Sequence, residues 1–282
     1  MSRHAHSASG APLGWVASGD GDDTVVLLPS LGRQGSDFDD LAGVLVAGGW
    51  RTIQVDLHGT GSSQGAAAPA DLHAMSADVV DVARREGAGR IHLVGHAFGN
   101  RVSRCIAADA PDLVRSLVLL GCGGKVPGDP DARRALQECF DLAASLDVRR
   151  AAIATAFFAG SAEVPPAWMM GWWPAGATAQ SAASAATDVA DWWIPPEPIP
   201  VLAIVGRGDR ISPPDNARAL VEGLGSRGWL LEVDGAGHAL LPEQLGVLAD
   251  AVLAFLRSSS LSIDGVAVTP PSPTESLVAN HQ

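Results

Sequence analysis

Three stretches far apart in this chain carry the residue types of acyl-transfer chemistry. They are a glycine-flanked turn, Gly95-His96-Ala97-Phe98-Gly99, an aspartate at 209 and a histidine at 238. Taken singly, each has a plain explanation: a loop aspartate is commonly a turn residue, and a histidine ahead of Ala239-Leu240-Leu241-Pro242 could cap a helix. Their order changes the reading. Ile91-His92-Leu93-Val94 reads as a short buried strand and a helix opens at Asn100-Arg101-Val102, so the turn between them has the G-x-S-x-G pattern of a nucleophile elbow. Such a turn exposes its central residue on a strained backbone, and the flanking glycines allow neighbours to approach without a Cβ. A hydroxyl there becomes a nucleophile only when a base takes its proton, and imidazole titrates close enough to neutrality to do so. A carboxylate then fixes the imidazole tautomer, and backbone N–H groups stabilise the tetrahedral oxyanion. Positions 97, 209 and 238 hold the places and residue types that such a triad needs, the hydroxyl excepted. The central residue is alanine, which has nothing to ionise, so the sequence predicts the pocket without its attacking group and the loss of most turnover.

The elements that must position these residues are legible as apolar runs. Residues 24–28 are a continuous β-branched and aliphatic stretch, the mark of a strand buried on both faces, and 53–55, 91–94, 117–120 and 201–205 repeat it, with Gln54 and His92 as the polar exceptions. Residues 229–233 supply one more. Helical patterns fall between them at 38–47, 72–85, 101–110, 216–224 and 245–256. Strands alternating with amphipathic helices predict an α/β fold with a mostly parallel, doubly wound sheet. From 128 to 195 the alternation stops, and an Ala-rich helical pattern with paired tryptophans replaces it. This segment is expected to be a helical lid inserted between two parts of a core domain, 1–127 and 196–257. Residues 258–282 are poor in packing residues and are expected to form a flexible Ser/Pro-containing tail.

With these residues in place, the chain resembles the α/β-hydrolase superfamily over roughly residues 13–256. Leu27-Leu28-Pro29-Ser30-Leu31-Gly32 aligns with the segment that carries the first oxyanion-hole residue, although Pro29-Ser30 replaces the usual His-Gly pair. Asp56-Leu57-His58-Gly59-Thr60-Gly61-Ser62-Ser63 is similar to a structural turn of the family in which His58 stands for an arginine. The resemblance implies that Leu31 and Phe98 donate the oxyanion-hole N–H groups. It also implies that Gly206-Arg207-Gly208-Asp209 is the acid loop and Gly235-Ala236-Gly237-His238 the histidine loop. Leu120-Gly121-Cys122-Gly123-Gly124-Lys125, where some relatives place the acid, holds no carboxylate, which favours Asp209. His96 is read as packing the turn. An aspartate nucleophile, as in epoxide hydrolases or haloalkane dehalogenases, fits less well, because the chain has no tyrosine and carries Phe98 after the nucleophile position. Two explanations of Ala97 stand: a serine-to-alanine change that holds a substrate uncleaved, or a natural non-hydrolytic relative. The first is preferred, since a chain without a nucleophile has no evident need of both Asp209 and His238.

The expected ligand follows from the lid. Trp168, Trp172, Trp173, Trp192 and Trp193 lie in it and are expected to line the pocket, favouring an apolar or aromatic substrate. The predicted function is hydrolysis of a moderately bulky carboxylic ester or lactone; the alternative is a non-catalytic relative that uses the pocket as a sensor or carrier. A substrate carboxylate would need Arg33, or one of Arg133, Arg134, Arg149 and Arg150. A net charge of −12 argues against nucleic acid or an anionic membrane as partner. At 47% hydrophobic and 18% charged residues the chain can bury a sizeable core. Cys105, Cys122 and Cys139 lack metal-ligand spacing and read as reduced, so no metal and no organic cofactor is expected. With no secretory h-region and no run long enough to span a bilayer, a cytoplasmic protein is expected.

Overall fold

In the computed structural model, residues 2–6, 12–160 and 163–260 are described. Eight strands form one sheet: β1 (Ser2–His6), β2 (Pro12–Ser18), β3 (Thr24–Leu28), β4 (Arg51–Asp56), β5 (Ile91–His96), β6 (Val114–Leu120), β7 (Val201–Gly206) and β8 (Gly228–Val233). Their order is β1-β2-β4-β3-β5-β6-β7-β8. β3 to β8 run parallel, while β1 and β2 add an antiparallel edge. Every residue of β3, β5 and β7 is buried, as apolar runs covered on both faces require. Helices α1 (Asp39–Ala47) and α8 (Leu241–Ser260) cover one face. Helices α2 (Leu72–Arg85), α3 (Phe98–Asp109) and α7 (Pro214–Leu224) cover the other. The six predicted parallel strands are all present, within a few residues of their expected ends. The antiparallel edge is new, and so is the extension of α8 through 258–260, where the tail was expected to begin; the rest of that segment lies outside the described residues.

Between β6 and β7 the described chain contains helices α4 (Pro130–Cys139), α5 (Leu146–Phe157) and α6 (Pro174–Ala185) and no strand. Their apolar residues form a separate small core built on Phe157, Phe158, Trp168 and Trp172. The end of the insertion behaves differently: Ala183, Trp192 and Trp193 join the core between the sheet and α2, α3 and α7.

The sheet order also places the site. β3 sits between β4 and β5, so the chain winds in opposite directions on its two sides. The crevice at the carboxyl ends of β3 and β5 is therefore the topological switch point, where open α/β sheets bind ligands. Residues 30–31 follow β3 and residues 97–98 follow β5.

Candidate active site

The elbow is built by close packing. Ala97 adopts φ 49° and ψ −101°, with its N–H bonded to the Leu120 carbonyl at 2.8 Å. A Cβ on Gly99 would lie 2.0 Å from the Leu28 carbonyl oxygen, and one on Gly95 would lie 2.6 Å from the backbone of Asn100. Only glycine permits the end of β3, the turn and α3 to meet this closely. α3 begins at Phe98, so the first N–H groups of the helix face the site.

Asp209 and His238 come together across the ends of β7 and β8. His238 Nδ1–H donates to Asp209 Oδ2 at 2.8 Å, and both side chains are buried. The other carboxylate oxygen accepts the N–H groups of Ile211 and Ser212 at 3.0 and 2.7 Å. This leaves Nε2 as the basic nitrogen of the histidine. Behind it, His96 Nε2–H donates to the His238 carbonyl at 2.7 Å. Burial first, then the neighbouring His238, pushes the His96 pKa down to about 3, so His96 stays neutral and acts as a fixed strut. The histidine loop is clamped by Glu243, whose carboxylate accepts the N–H groups of Gly237, Leu240 and Ala159 at 2.8, 3.1 and 2.7 Å.

A cavity of about 80 Å³ joins these parts, lined among others by Leu31, Ala97, Phe98, Arg101, Ser212 and His238. Site residues expected from the elbow, the acid loop and the histidine loop thus converge. The five tryptophans do not line this cavity. Trp168 and Trp172 pack edge-on against Phe157 in the lid core, and Trp192 and Trp193 pack against Arg104. Trp173 faces a separate groove and donates to Gln34. Trp168 and Trp172 are thus spent inside the insertion's own core, and Trp192 and Trp193 on fixing its end to the sheet domain.

Among the expected cations, Arg33 is already neutralised. It makes a bidentate pair with Asp37 at 2.8 and 2.6 Å and lies over the rings of Trp168 and Trp172. Arg134 pairs with Asp131, Arg149 donates to the Met169 carbonyl, and Arg133 and Arg150 are exposed. His58 is a buried partner of Asp78 at 2.8 Å and takes no part in the cavity. Two residues that pattern reading missed act here. Gln180 on α6 accepts from Gly32 N–H and donates to the His58 carbonyl, pinning the loop after β3 to the lid. Arg101 lines the cavity from α3. Away from the site, His73, Cys105 and Asp109 bring potential metal-ligand atoms within 4.8 Å of one another across α2 and α3. There His73 is hydrogen-bonded to Asp109, and burial pushes the Cys105 thiol up to about 12, which keeps it neutral.

The sheet order, the strained turn at its switch point and the His–Asp pair define an α/β-hydrolase architecture. A sequence profile of the Alpha/beta hydrolase family matches residues 25–251, and the chain belongs to that family. It is 38% identical over 137 residues to a protein of Variovorax paradoxus named "Putative carbamate hydrolase RutD". That match covers 46% of this chain and 47% of the relative, so the chain spans about half the length of the curated relatives it matches. Solved structures with the same fold include a thermophilic esterase from Thermogutta terrifontis, with malate bound, at TM-score 0.75 and 23% identity over 92% of this chain and 99% of that one. An esterase from Exiguobacterium antarcticum gives TM-score 0.74 at 19% identity over 92% and 100%. Among the described residues no helix is long and apolar enough to cross a membrane.

Proposed function

We propose that this cavity hydrolyses a small acyl compound, an ester, lactone or carbamate, with His238 as general base and then acid. Asp209 holds the imidazole, and the N–H groups of Leu31 and Phe98 receive the oxyanion. The observation that carries the reading is that His238, tied to Asp209 at 2.8 Å, lines one cavity with Leu31, Ala97 and Phe98. The fold and the name of the Variovorax relative support a hydrolase, and that name brings carbamates into the class.

Position 97 decides the route. A serine hydroxyl there would attack the carbonyl, giving an acyl-enzyme that His238 then directs water to cleave. With Ala97 that covalent route is closed, and what remains is water deprotonated by His238 and delivered to a carbonyl polarised in the oxyanion hole. Ala97→Ser is expected to raise kcat/KM for small esters by at least about 10²-fold, and to allow covalent labelling by a fluorophosphonate. Both gains should vanish in Ala97→Ser/His238→Ala. Absence of labelling and turnover in the serine variant counts against this reading. The methyl group of Ala97 itself favours a second one, a ligand-binding family member, which that outcome together with retained small-molecule binding would support.

A further inference from the structure

Two arginines stand one turn apart on α3, and their surroundings differ. Arg104 is fully buried and its donors are consumed: they bond the Asn100 carbonyl and Oδ1, the Gly123 carbonyl at 2.8 Å and the Trp193 carbonyl. Its guanidinium also lies over the rings of Trp192 and Trp193. Arg104 is therefore a brace between the loop after β6 and the end of the lid. Arg101 lines the cavity; its one hydrogen bond among the described residues runs from NH1 to Ser184 Oγ on α6 at 2.8 Å, and its guanidinium lies 5.8 Å from the centre of the Trp192 ring. Among the described residues no carboxylate pairs with either arginine. Both act on Cys122, a buried thiol that burial keeps protonated. Asp209, the acid closest to the reaction chemistry, is held by His238 and two backbone N–H groups. The cavity thus carries a desolvated positive charge without a counter-ion, inside a chain whose net charge is −12.

Leaving a largely desolvated guanidinium unpaired is costly, and the cost is recovered when a carboxylate occupies its open fork of N–H donors. We infer that Arg101 is the recognition residue for an anionic substrate, a small acyl compound that carries a free carboxylate. The inference rests on the proposal that this cavity is the reaction site, and it names the substrate class that the proposal leaves open. The cavity volume fits it, since about 80 Å³ admits only a few non-hydrogen atoms. The geometry fits as well. Arg101 is the fourth residue of the helix whose first residue is Phe98, so its backbone stands about one helical turn from the Phe98 N–H. Ser184 holds the guanidinium from the lid side, so the lid presents the charge instead of covering it.

The test uses propionate and its neutral isostere propionamide, titrated calorimetrically into the full chain at matched ionic strength, with chloride as a second comparison. Propionate is expected to bind at least tenfold more tightly than propionamide, and more tightly than chloride. Arg101→Gln should remove that preference, Arg101→Lys should retain part of it, and Arg150→Gln on the exposed face of α5 should leave it intact. Circular dichroism and melting temperature establish that each variant is folded. Equal binding of the two probes, no binding of propionate, or a preference unchanged in Arg101→Gln overturns the inference. The readout needs no turnover. Propionate selectivity without hydrolysis in Ala97→Ser would leave Arg101 as an anion site and remove the hydrolase reading. Hydrolysis of neutral and anionic esters alike would do the reverse.

Discussion

Ala97 holds φ at 49°, a region that residues bearing a Cβ avoid at a cost of about 1–3 kcal/mol. The strain persists because the turn is over-determined: Gly95 and Gly99 are packed against the backbone on either side, and the Ala97 N–H is tied to Leu120. What the strained turn delivers is orientation, of the side chain at 97 and of the N–H at 98. The same logic governs Asp209. Its Oδ1 accepts two backbone N–H groups, so an asparagine there would keep its carbonyl on Ile211 and Ser212 and turn its NH₂ toward His238. Nδ1 would then have to accept, moving the ring proton to Nε2 and removing the base. In the Ala97→Ser background, Asp209→Asn is expected to lower kcat by about 10³–10⁴-fold with little change in KM, as measured on a small chromogenic ester. A fall of only a few-fold would mean that the carboxylate merely packs.

At the level of elements, the loop after β3 is held from two sides: Gly35 donates to Asp56 and accepts from Gln54 on β4, and the lid holds the residues before it. Gly32 is bonded to Gln180, and Arg33 lies over the rings of Trp168 and Trp172 while pairing with Asp37 at the turn before α1. Arg33 and Asp37 side chains are 2% and 9% exposed, so Asp37→Asn strands a buried charge. The expected loss is about 3–5 kcal/mol of stability in urea unfolding, with the lid and the loop after β3 loosening together. A loss below about 1 kcal/mol would mean the pair is solvated. These ties also explain what pattern reading could and could not recover. β3 and β7 were legible because burial on both faces forces an unbroken apolar run, and β5 because its apolar run is interrupted within 91–94 by His92 alone. β2, Pro12–Ser18, was not, because Gly14 and Pro12 interrupt it and its partners are an edge strand and β4. The elbow, Asp209 and His238 were legible because their order along the chain is itself the signal. Arg101 was hidden, since an arginine on an amphipathic helix has the look of a solvent-facing residue until the lid is placed over it. The tryptophans misled for the converse reason: an aromatic cluster signals burial, and only the packing says whether its faces meet a ligand or one another.

The whole molecule combines an acidic exterior with neutral imidazoles at its centre. His92, the second residue of β5, bonds Ser116 Oγ at 2.7 Å and packs edge-to-face with Trp50; burial, then the charge of Arg115, pushes its pKa down to about 4. His96 at the end of the same strand is pushed down to about 3. Unfolding returns both to the ordinary value near 6.5, so between that value and the folded pKa values the unfolded chain binds more protons than the folded one. Stability is therefore complete above pH 6.5 and declines as the pH falls toward 4, by about 2–3 kcal/mol for each histidine by pH 4.5. The surface charge works in the opposite sense. At a net −12, protonating exposed carboxylates relieves self-repulsion, so a steep loss of stability on mild acidification identifies the buried imidazoles as its source. Urea midpoints at pH 7 and pH 4.5 measure the slope. His92→Asn, which keeps a polar group beside Ser116 but cannot titrate, is expected to be less stable at pH 7 yet to lose less between the two pH values. An unchanged slope in that variant would place the acid sensitivity elsewhere than His92.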